Sequence, residues 1–387
     1  MRIRAATVVD GAGKTLRNAT IVVRGSKITS IETASAGAAT YDLGTLDRDP
    51  RHDRRPLAPG LALRQGRPLC RAARHAGRRN SLQRRERLRD ADGRLHHDSE
   101  SRPGQRRRAA RRDRARRSSP GPRVLTSIRQ LNEGSGTPDE IRTKVQQLKK
   151  DGADVVKIFA SASIRDGGKQ TMTDAQLEAR VRRGEGAGLR TMVHAHSPES
   201  IKASVDAGCD QIEHGVFADE PTLKLMADKG VYFDPNVGVV LQNYLRNKAK
   251  YLGIGNYNEE GFAYMEKGLA LNAAMIKKAV ATPNLKMVLG TDAVAGAHGH
   301  NADEIVERVR QGNQKPMDAI ISATLARGQV DAPRQDDRHA RGRATTPISS
   351  ALDGDPLTDI TAVTRVAFVM KGGKVYKHVA PAATRSK

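Results

Sequence analysis

Four short segments of this sequence place residues that could bind a metal ion at or near the end of an apolar run. They are Lys157 in DVVKIFA, His194 and His196 in MVHAH, His214 in DQIEHG and Asp292 in KMVLGTDA. Imidazole nitrogens and carboxylate oxygens are common ligands of Zn²⁺ and similar divalent ions. A lysine that has reacted with carbon dioxide also carries a carboxylate, which can bridge two ions. The ordered set therefore predicts a divalent-metal site, with Zn²⁺ as the expected ion and Asp292 as an additional candidate general base.

Each of these residues also has a structural explanation. A lysine near a strand end can extend its ammonium group to water, and an aspartate that closes a strand can cap the following helix. A single buried histidine is more often structural than a ligand. Because side chains alternate along a strand, His194 and His196 point to the same face. The metal-site hypothesis depends on the whole ordered set rather than on any one member.

The chain around these residues alternates between predicted strands and helices. The candidate strands are 124–127, 155–160, 190–196, 210–215, 231–237 and 286–292. Helix starts are indicated by Thr137 with Glu140, by Thr173 with Gln176, and by Ser197 before Pro198. Helix ends are indicated by Gly152, Gly208 and Gly230. This alternation predicts an α/β fold, and its length favours a (β/α)₈ TIM-like barrel with its active site at the carboxyl ends of the strands.

The two ends of the chain show a different pattern. Residues 2–31 and 363–377 contain short apolar runs separated by glycines, which is typical of strands joined by turns. We therefore expect both ends to form one small β-sandwich domain. The predicted division is 1–45 and 351–387 for this domain, and 119–328 for the metal-binding barrel.

Most of the positive charge lies in one segment. The formal net charge is +24, and residues 48–117 contain 24 Arg, no Lys and 8 acidic residues. A nucleic-acid-binding protein and a disordered basic linker are the two simple explanations. Nucleic-acid-binding segments usually also contain lysine and aromatic stacking residues, so we expect no nucleic-acid partner.

Other general features restrict the class of protein. The sequence has no apolar run of 18 residues, which predicts no transmembrane helix and no membrane partner. Its first residues lack the apolar core of a signal peptide, and only two cysteines are present, Cys70 and Cys209. A cytoplasmic location is the expectation, with an export leader absent from this sequence as the alternative. The expected partner is a small-molecule substrate, and a homo-oligomer is compatible with the sequence.

The motifs VVKIFAS, TMVHAH…AGCDQIEHG and VLGTDA with the following AHGHNADEI resemble the amidohydrolase superfamily, in its binuclear prolidase-like and imidazolonepropionase-like branch. The resemblance covers roughly 1–45, 119–328 and 351–378. It implies that Lys157 is a carboxylated bridge, that His194 and His214 bind one ion, and that Asp292 is a ligand and proton shuttle. It places His196 and His298 nearer the substrate.

This sequence departs from the family where a His-x-His pair should follow the N-terminal β-unit. With free choice of synonymous codons, residues 51–62 read one base later can encode Gly-Met-Ile-Asp-Val-His-Leu-His, which is the missing motif. The same offset turns 94–104 and 343–349 into other segments that the family pattern contains. Arginine enrichment without lysine is also typical of GC-rich DNA read out of frame. We therefore predict that 46–118 and 329–350 are out of reading frame, which corrupts the first two barrel strands.

The resemblance implies an enzyme that hydrolyses carbon–nitrogen bonds. Two metal ions would hold a hydroxide that cleaves the amide of a dipeptide or N-acyl amino acid, with impaired folding and metal binding in the chain as written. The residues considered for binding the substrate's carboxylate are His298, His300, Asn301 and Arg308. The alternatives are a one-metal hydrolase of cyclic amides or imidazolones, a basic nucleic-acid-binding protein, and an inactive remnant that acts as a scaffold.

The frameshift hypothesis predicts a specific result from resequencing the gene across codons 45–120 and 328–352. One base gained or lost is expected at each edge of the two segments. A gene sequence that encodes these segments in one continuous frame with no such change, confirmed from independent DNA, would remove the hypothesis.

Overall fold

The computed structural model describes residues 1–33, 37–44, 60–64, 125–181, 188–294, 296–326 and 348–379. For 60–64 it describes the backbone. Apart from 60–64 and 348–350, the two segments predicted to be out of frame therefore lie outside the described residues.

The described residues contain fourteen strands and nine α-helices. The strands are β1 (Arg2–Val9), β2 (Thr15–Arg24), β3 (Lys27–Glu32), β4 (Tyr41–Asp42), β5 (Gly60–Arg64), β6 (Gln130–Leu131), β7 (Val155–Phe159), β8 (Arg190–Ala195), β9 (Gln211–His214), β10 (Tyr232–Asp234), β11 (Lys286–Met287), β12 (Ile348–Leu352), β13 (Val366–Lys371) and β14 (Lys374–His378). The helices are α1 (Pro138–Lys150), α2 (Asp174–Val181), α3 (Pro198–Asp206), α4 (Glu220–Lys229), α5 (Val240–Arg246), α6 (Lys248–Tyr251), α7 (Glu259–Ala281), α8 (Asp303–Arg310) and α9 (Pro316–Ile321). Short 3₁₀ turns occupy Glu133–Ser135, Ile164–Asp166 and Ile360–Thr364.

The central element is a six-stranded sheet in the order β11-β10-β9-β8-β7-β6. Every neighbouring pair is parallel. Helices lie between most of these strands in the chain, as parallel connections require. The predicted α/β class with a parallel sheet is therefore confirmed. Closure into an eight-stranded barrel stays a prediction, because the expected first strands lie largely outside the described residues.

Two adjacent rows of residues across this sheet have opposite chemistry. One row is apolar and is buried in the core cluster formed with the helices: Leu131, Ile158, Val193, Ile212 and Phe233. The next row along the strands is Phe159, His194, Glu213 and Asp234. Successive residues of a strand point to opposite faces. The helices therefore cover one face, and polar side chains collect on the other.

One predicted strand is wrong. Residues 125–127 of the predicted strand 124–127 are irregular, and the strand next to β7 is β6 instead. The backbone of Ile128 has φ of 62°, which interrupts any extended run at that point. Thr126 still contacts the start of β7, because its carbonyl accepts a hydrogen bond from the Asp154 amide at 2.8 Å.

The predicted helix starts are confirmed. The hydroxyl of Thr137 accepts a hydrogen bond from the Glu140 amide, and the Glu140 carboxylate accepts one from the Thr137 amide. The same reciprocal pair joins Thr173 and Gln176. The hydroxyl of Ser197 accepts from the amide of Ser200 at 3.3 Å. These caps satisfy amides that would otherwise have no partner in the first helical turn.

The longest described helix, α7, lies beside the segment that follows β10. It begins after Asn258, whose side chain accepts a hydrogen bond from the Gly261 amide at 2.8 Å. Its buried residues Phe262 and Met265 pack in one apolar cluster with Ile164 and Tyr244. Among the helices that the structure describes, α7 included, none combines the length and apolar character needed to span a membrane.

Both ends of the chain contribute strands to a second, mixed sheet. Its order is β14-β13-β12-β5-β1-β2-β3, and β4 pairs with β1. The strands β1 and β5 are parallel, whereas β5 and β12 are antiparallel. A hydrogen bond from the Thr324 hydroxyl to the Gly11 carbonyl at 2.6 Å connects this sheet to the body of the protein. The described strands make one sheet, and the β-sandwich stays a prediction.

Replacing Thr137 with Ala tests the contribution of the α1 cap. We expect the free energy of unfolding to fall by about 1 kcal/mol, because the Glu140 amide loses its acceptor. Thr143→Ala is the matched control, since Thr143 lies exposed in the same helix, and its effect should stay within about 0.5 kcal/mol. Denaturant unfolding followed by circular dichroism measures both, and equal effects would contradict the assigned cap.

Candidate functional site

Three histidine rings meet at the carboxyl ends of β8 and β9. The ring centroids of His194 lie 4.6 Å from those of both His196 and His214, and the rings of His196 and His214 stack at 5.1 Å. His194 lies in β8, His196 follows it by two residues, and His214 is the last residue of β9. Neighbouring parallel strands end at the same edge of the sheet, which brings together residues 20 positions apart in sequence.

The position of His214 requires an unusual backbone. Strict alternation would send the side chains of Glu213 and His214 to opposite faces of β9. His214 has φ of 72° and Gly215 has φ of 58°, so the chain turns sharply there and the His214 ring joins the cluster. A left-handed conformation at a residue other than glycine costs free energy, and such residues concentrate at functional sites.

Burial determines the protonation of the three rings. His194, His196 and His214 are at most 7% exposed. Burial lowers the pKa of His196 to about 3, with contributions from Lys157 and Arg165. It also holds the pKa of His194 and His214 well below the ordinary range. All three rings are therefore neutral near pH 7 and keep a lone pair for a ligand or proton.

Lys157 lies beside this cluster on β7. Its ammonium group forms an ion pair with the carboxylate of Glu213 and lies 5.0 Å from the centroid of the Phe159 ring. The side chains of Lys157 and Glu213 are only 20% and 10% exposed. Burial lowers the pKa of Lys157 to about 8, and the negative charges of Asp292 and Asp234 oppose this shift. The lysine is thus easier to deprotonate than one in water.

Asp292 lies in the loop after β11. Its backbone has φ of 40°, another left-handed conformation. Asp292 is exposed, but the surrounding protein displaces enough water to raise the pKa of its carboxyl group. The positive charges of Lys157 and Arg165 lower this pKa and so oppose the shift. A carboxylate with a raised pKa is a better proton acceptor than an ordinary aspartate.

Glu213 and Asp234 also belong to this region, although the sequence motifs did not predict them. Both carboxylates stand in the same row as His194, and the Asp234 carboxylate accepts a hydrogen bond from the Gln211 side chain at 3.1 Å. Gln211 and Glu213 lie on either side of the apolar Ile212 in β9, and this alternation is the sequence pattern that could have indicated a polar face. An internal strand with a polar face indicates a polar cavity rather than a core.

The chemistry of these donors suits a divalent ion. Neutral imidazoles and a carboxylate are suitable ligands, and the buried Nδ1 atom of His196 has no hydrogen-bond partner among the residues that the structure describes. The carbonyl of Ala162 lies 3.4 Å from Nε2 of His194, which favours a hydrogen on Nε2 and leaves Nδ1 as the donor atom. Within the described ranges, however, no three His, Cys, Asp or Glu side chains form a complete set for an ion.

The residues considered for the substrate's carboxylate are placed differently. Arg308 is fully buried in α8, where it donates to the Gln314 side chain at 3.1 Å and to the Val288 carbonyl at 2.9 Å, so it is not available to a substrate. Asn301 donates to the Thr291 hydroxyl at 2.9 Å, next to Asp292. His298 and His300 are exposed, and no described contact joins His298 to the three histidines.

The overall structure is similar to several solved structures. A Xaa-Pro dipeptidase with bound methionine in the active site matches 97% of this chain and 99% of its own, with a TM-score of 0.72 and 22% identity. An amidohydrolase structure matches 97% and 98%, with a TM-score of 0.70 and 19% identity. The chain has an amidohydrolase fold. This is the fold that the sequence motifs indicated.

Sequence comparison agrees with this fold. The ochratoxinase of Aspergillus niger is 28% identical over 246 residues, which are 62% of this chain and 49% of that protein. The chain therefore spans about half the length of the curated relatives it matches. The crystal structure of A. niger ochratoxinase also has the amidohydrolase fold seen here, with a TM-score of 0.67 and 20% identity over 97% of this chain. No protein-family model matches.

A double-mutant cycle tests the Lys157–Glu213 ion pair in the metal-free protein. Lys157→Met and Glu213→Gln each leave one charge without its partner in a poorly hydrated site, so both should lower the free energy of unfolding. We expect a coupling of at least about 1 kcal/mol between them. The same cycle on the exposed pair Lys202–Asp206 should give less than about 0.5 kcal/mol. Equal coupling in the two cycles would refute a special role for the buried pair.

Proposed function

We propose that this chain is a metal-dependent amidohydrolase, which cleaves an amide or peptide bond in a small substrate such as a dipeptide or an N-acyl amino acid. The observation that carries the proposal is the cluster of three buried, neutral histidines beside Asp292 and Lys157 at the carboxyl ends of parallel strands. Active sites of α/β folds lie at this end of the sheet. Fold similarity alone would not support a function.

His194 and His214 are the proposed ligands of a first ion, because both rings are neutral and adjacent. The other two proposed metal ligands among the described residues are Asp292 and Lys157, the latter after carboxylation. The histidine pair of the frameshift hypothesis would supply the rest of a two-ion site. A bound divalent ion supplies acidity to water, lowering its pKa toward about 7, and polarises the scissile carbonyl.

Asp292 is the proposed proton carrier. Its raised pKa suits a group that takes a proton from the attacking water and gives it to the leaving amine. Lys157 keeps a positive or carboxylated side chain next to this carboxylate, so its chemical state sets the charge of the site. His196 is the proposed substrate contact, since its buried Nδ1 atom has no partner in the described part of the chain and its amide donates to the Ser161 hydroxyl at 3.1 Å.

The substrate class is supported by the named relatives. The similar structures include the Xaa-Pro dipeptidase and a prolidase complexed with N-methylphosphonate-L-proline, at 19% identity and a TM-score of 0.70. The name of the first states a dipeptide substrate, and ochratoxinase is the relative found by sequence. A small amide with an amino acid as one product is the substrate that these similarities favour for this chain.

Asp292→Asn tests the proton-carrying role. We expect kcat for amide hydrolysis to fall by about 100- to 10,000-fold, because a neutral amide cannot accept the proton. Asp228→Asn is the matched control, as Asp228 lies exposed in α4 and pairs with Lys224. Steady-state kinetics on a dipeptide panel measures both variants. Unchanged hydrolysis in Asp292→Asn would refute the proposal.

Metal removal tests the cofactor. Dialysis against a chelator should abolish hydrolysis, and added Zn²⁺ should restore it. Metal analysis of the active protein separates two mechanisms, since about two ions per chain support the dipeptidase-like site and about one supports a cyclic-amide hydrolase. We expect fewer ions in the chain as written than in a version with 46–118 and 329–350 restored to frame. Full activity without any metal would contradict the proposal.

A further inference from the structure

One positively charged side chain near the histidine cluster has no carboxylate partner among the described residues. Arg165 lies in the 3₁₀ turn that follows β7, the strand of Lys157. Its Nε atom donates to the side-chain oxygen of Asn256 at 3.3 Å, and none of the ion pairs formed within the described ranges includes it. An unpaired guanidinium beside a reactive site can bind an anion.

Two tyrosine rings hold the guanidinium in place. Its central carbon lies 4.2 Å from the ring centroid of Tyr257 and 5.7 Å from that of Tyr244. An arginine stacked on aromatic rings keeps its plane fixed, with the donors along its edge still available. The side chain is therefore organised before a ligand arrives, which reduces the entropy lost on binding.

The loop that carries Arg165 is packed directly against the candidate site. A Cβ atom added at Gly168 would lie 2.8 Å from Cβ of His196 and 2.9 Å from a ring carbon of Phe217. Only glycine fits this approach, and its φ of 67° also favours glycine. In agreement with this packing, the charge of Arg165 lowers the pKa of both His196 and Asp292.

The charges of the other side chains in the site favour a role for Arg165 in binding an anion. Asp292, Asp234 and Glu213 bring three carboxylates around a single ammonium group, that of Lys157. The free carboxylate of an anionic substrate would still need a cation of its own, because the divalent ions of the proposed function would be held by these donors and would act at the scissile carbonyl. Arg308 is committed to buried partners, so it cannot take this role.

We propose that Arg165 binds the free carboxylate of the substrate's leaving amino acid and thereby selects N-acyl amino acids and dipeptides over neutral amides. The inference rests on the proposed function, because it concerns the substrate of the same site. Arginine and carboxylate form two parallel hydrogen bonds, so the contact would also orient the scissile bond relative to Asp292.

Matched substrate pairs test the role of Arg165. L-alanyl-L-proline and L-alanyl-L-prolinamide differ only in the terminal charge, as do N-acetyl-L-methionine and N-acetyl-L-methioninamide. We expect the wild-type chain to prefer each carboxylate substrate, and Arg165→Gln to lower kcat/KM for it by roughly 10- to 100-fold, mainly through KM. Hydrolysis of the amide partners should change by less than about 3-fold, and Arg165→Lys should recover part of the loss.

Arg142→Gln is the control, since Arg142 lies exposed in α1 and pairs with Asp139. Calorimetry with L-methionine and L-methioninamide gives a second readout, in which Arg165→Gln should weaken binding of the acid only. Equal effects of Arg165→Gln on both members of a pair, or no carboxylate preference in an active wild-type chain, would overturn the inference and leave the proposed function standing. If no amide in the panel is cleaved even by the version with 46–118 and 329–350 restored to frame, the proposed function fails, and unchanged L-methionine binding in Arg165→Gln then overturns the inference as well.

Discussion

The candidate site depends on one constraint, which is the removal of water from its titratable side chains. These are three imidazole rings, one ammonium group and several carboxylates. Burial keeps His194 and His214 neutral and brings the pKa of Lys157 down to about 8, and the protein around the exposed Asp292 raises the pKa of its carboxyl group. Neutral imidazoles and a more easily deprotonated lysine suit metal binding and carboxylation, and the raised pKa makes the Asp292 carboxylate a stronger base. The parallel sheet makes this possible, because it gathers the ends of strands that are far apart in sequence and covers their opposite face with helices.

The sequence predicted those parts of the fold that depend on periodicity and local hydrogen bonding. The α/β class, the helix caps at Thr137 and Ser197 and the strand ends carrying His194 and His214 follow from such local patterns. Features set by backbone turns or distant contacts could not be predicted. No local sequence pattern predicts the left-handed backbone at Ile128, which ended a predicted strand. The same holds for the left-handed backbone at His214, which puts Glu213 and His214 in one site.

The site also shows why charged residues in the sequence need the fold before they can be assigned. Arg308 and Arg165 have the same side chain, and only Arg308 lay in the segment that the sequence analysis considered. In the fold, Arg308 is a buried residue of α8, and the charge of Glu304 acts on it. The Glu304 carboxylate accepts hydrogen bonds from the amides of Val237 and Gly238. Arg165 has no carboxylate partner among the described residues, and its charge acts on Asp292. The first arginine binds the Val288 carbonyl and the Gln314 side chain inside the protein, and the second is the proposed contact for the substrate's carboxylate.

The mixed sheet built from both ends of the chain has a consequence for biosynthesis. Strand β5 obtains its neighbour β12 only after roughly 280 further residues have left the ribosome. Until then one edge of β5 offers unpaired backbone groups, which can recruit strands of other molecules. Co-translational folding of this sheet must therefore wait, and a chaperone that shields the open edge during elongation would improve the yield of native protein.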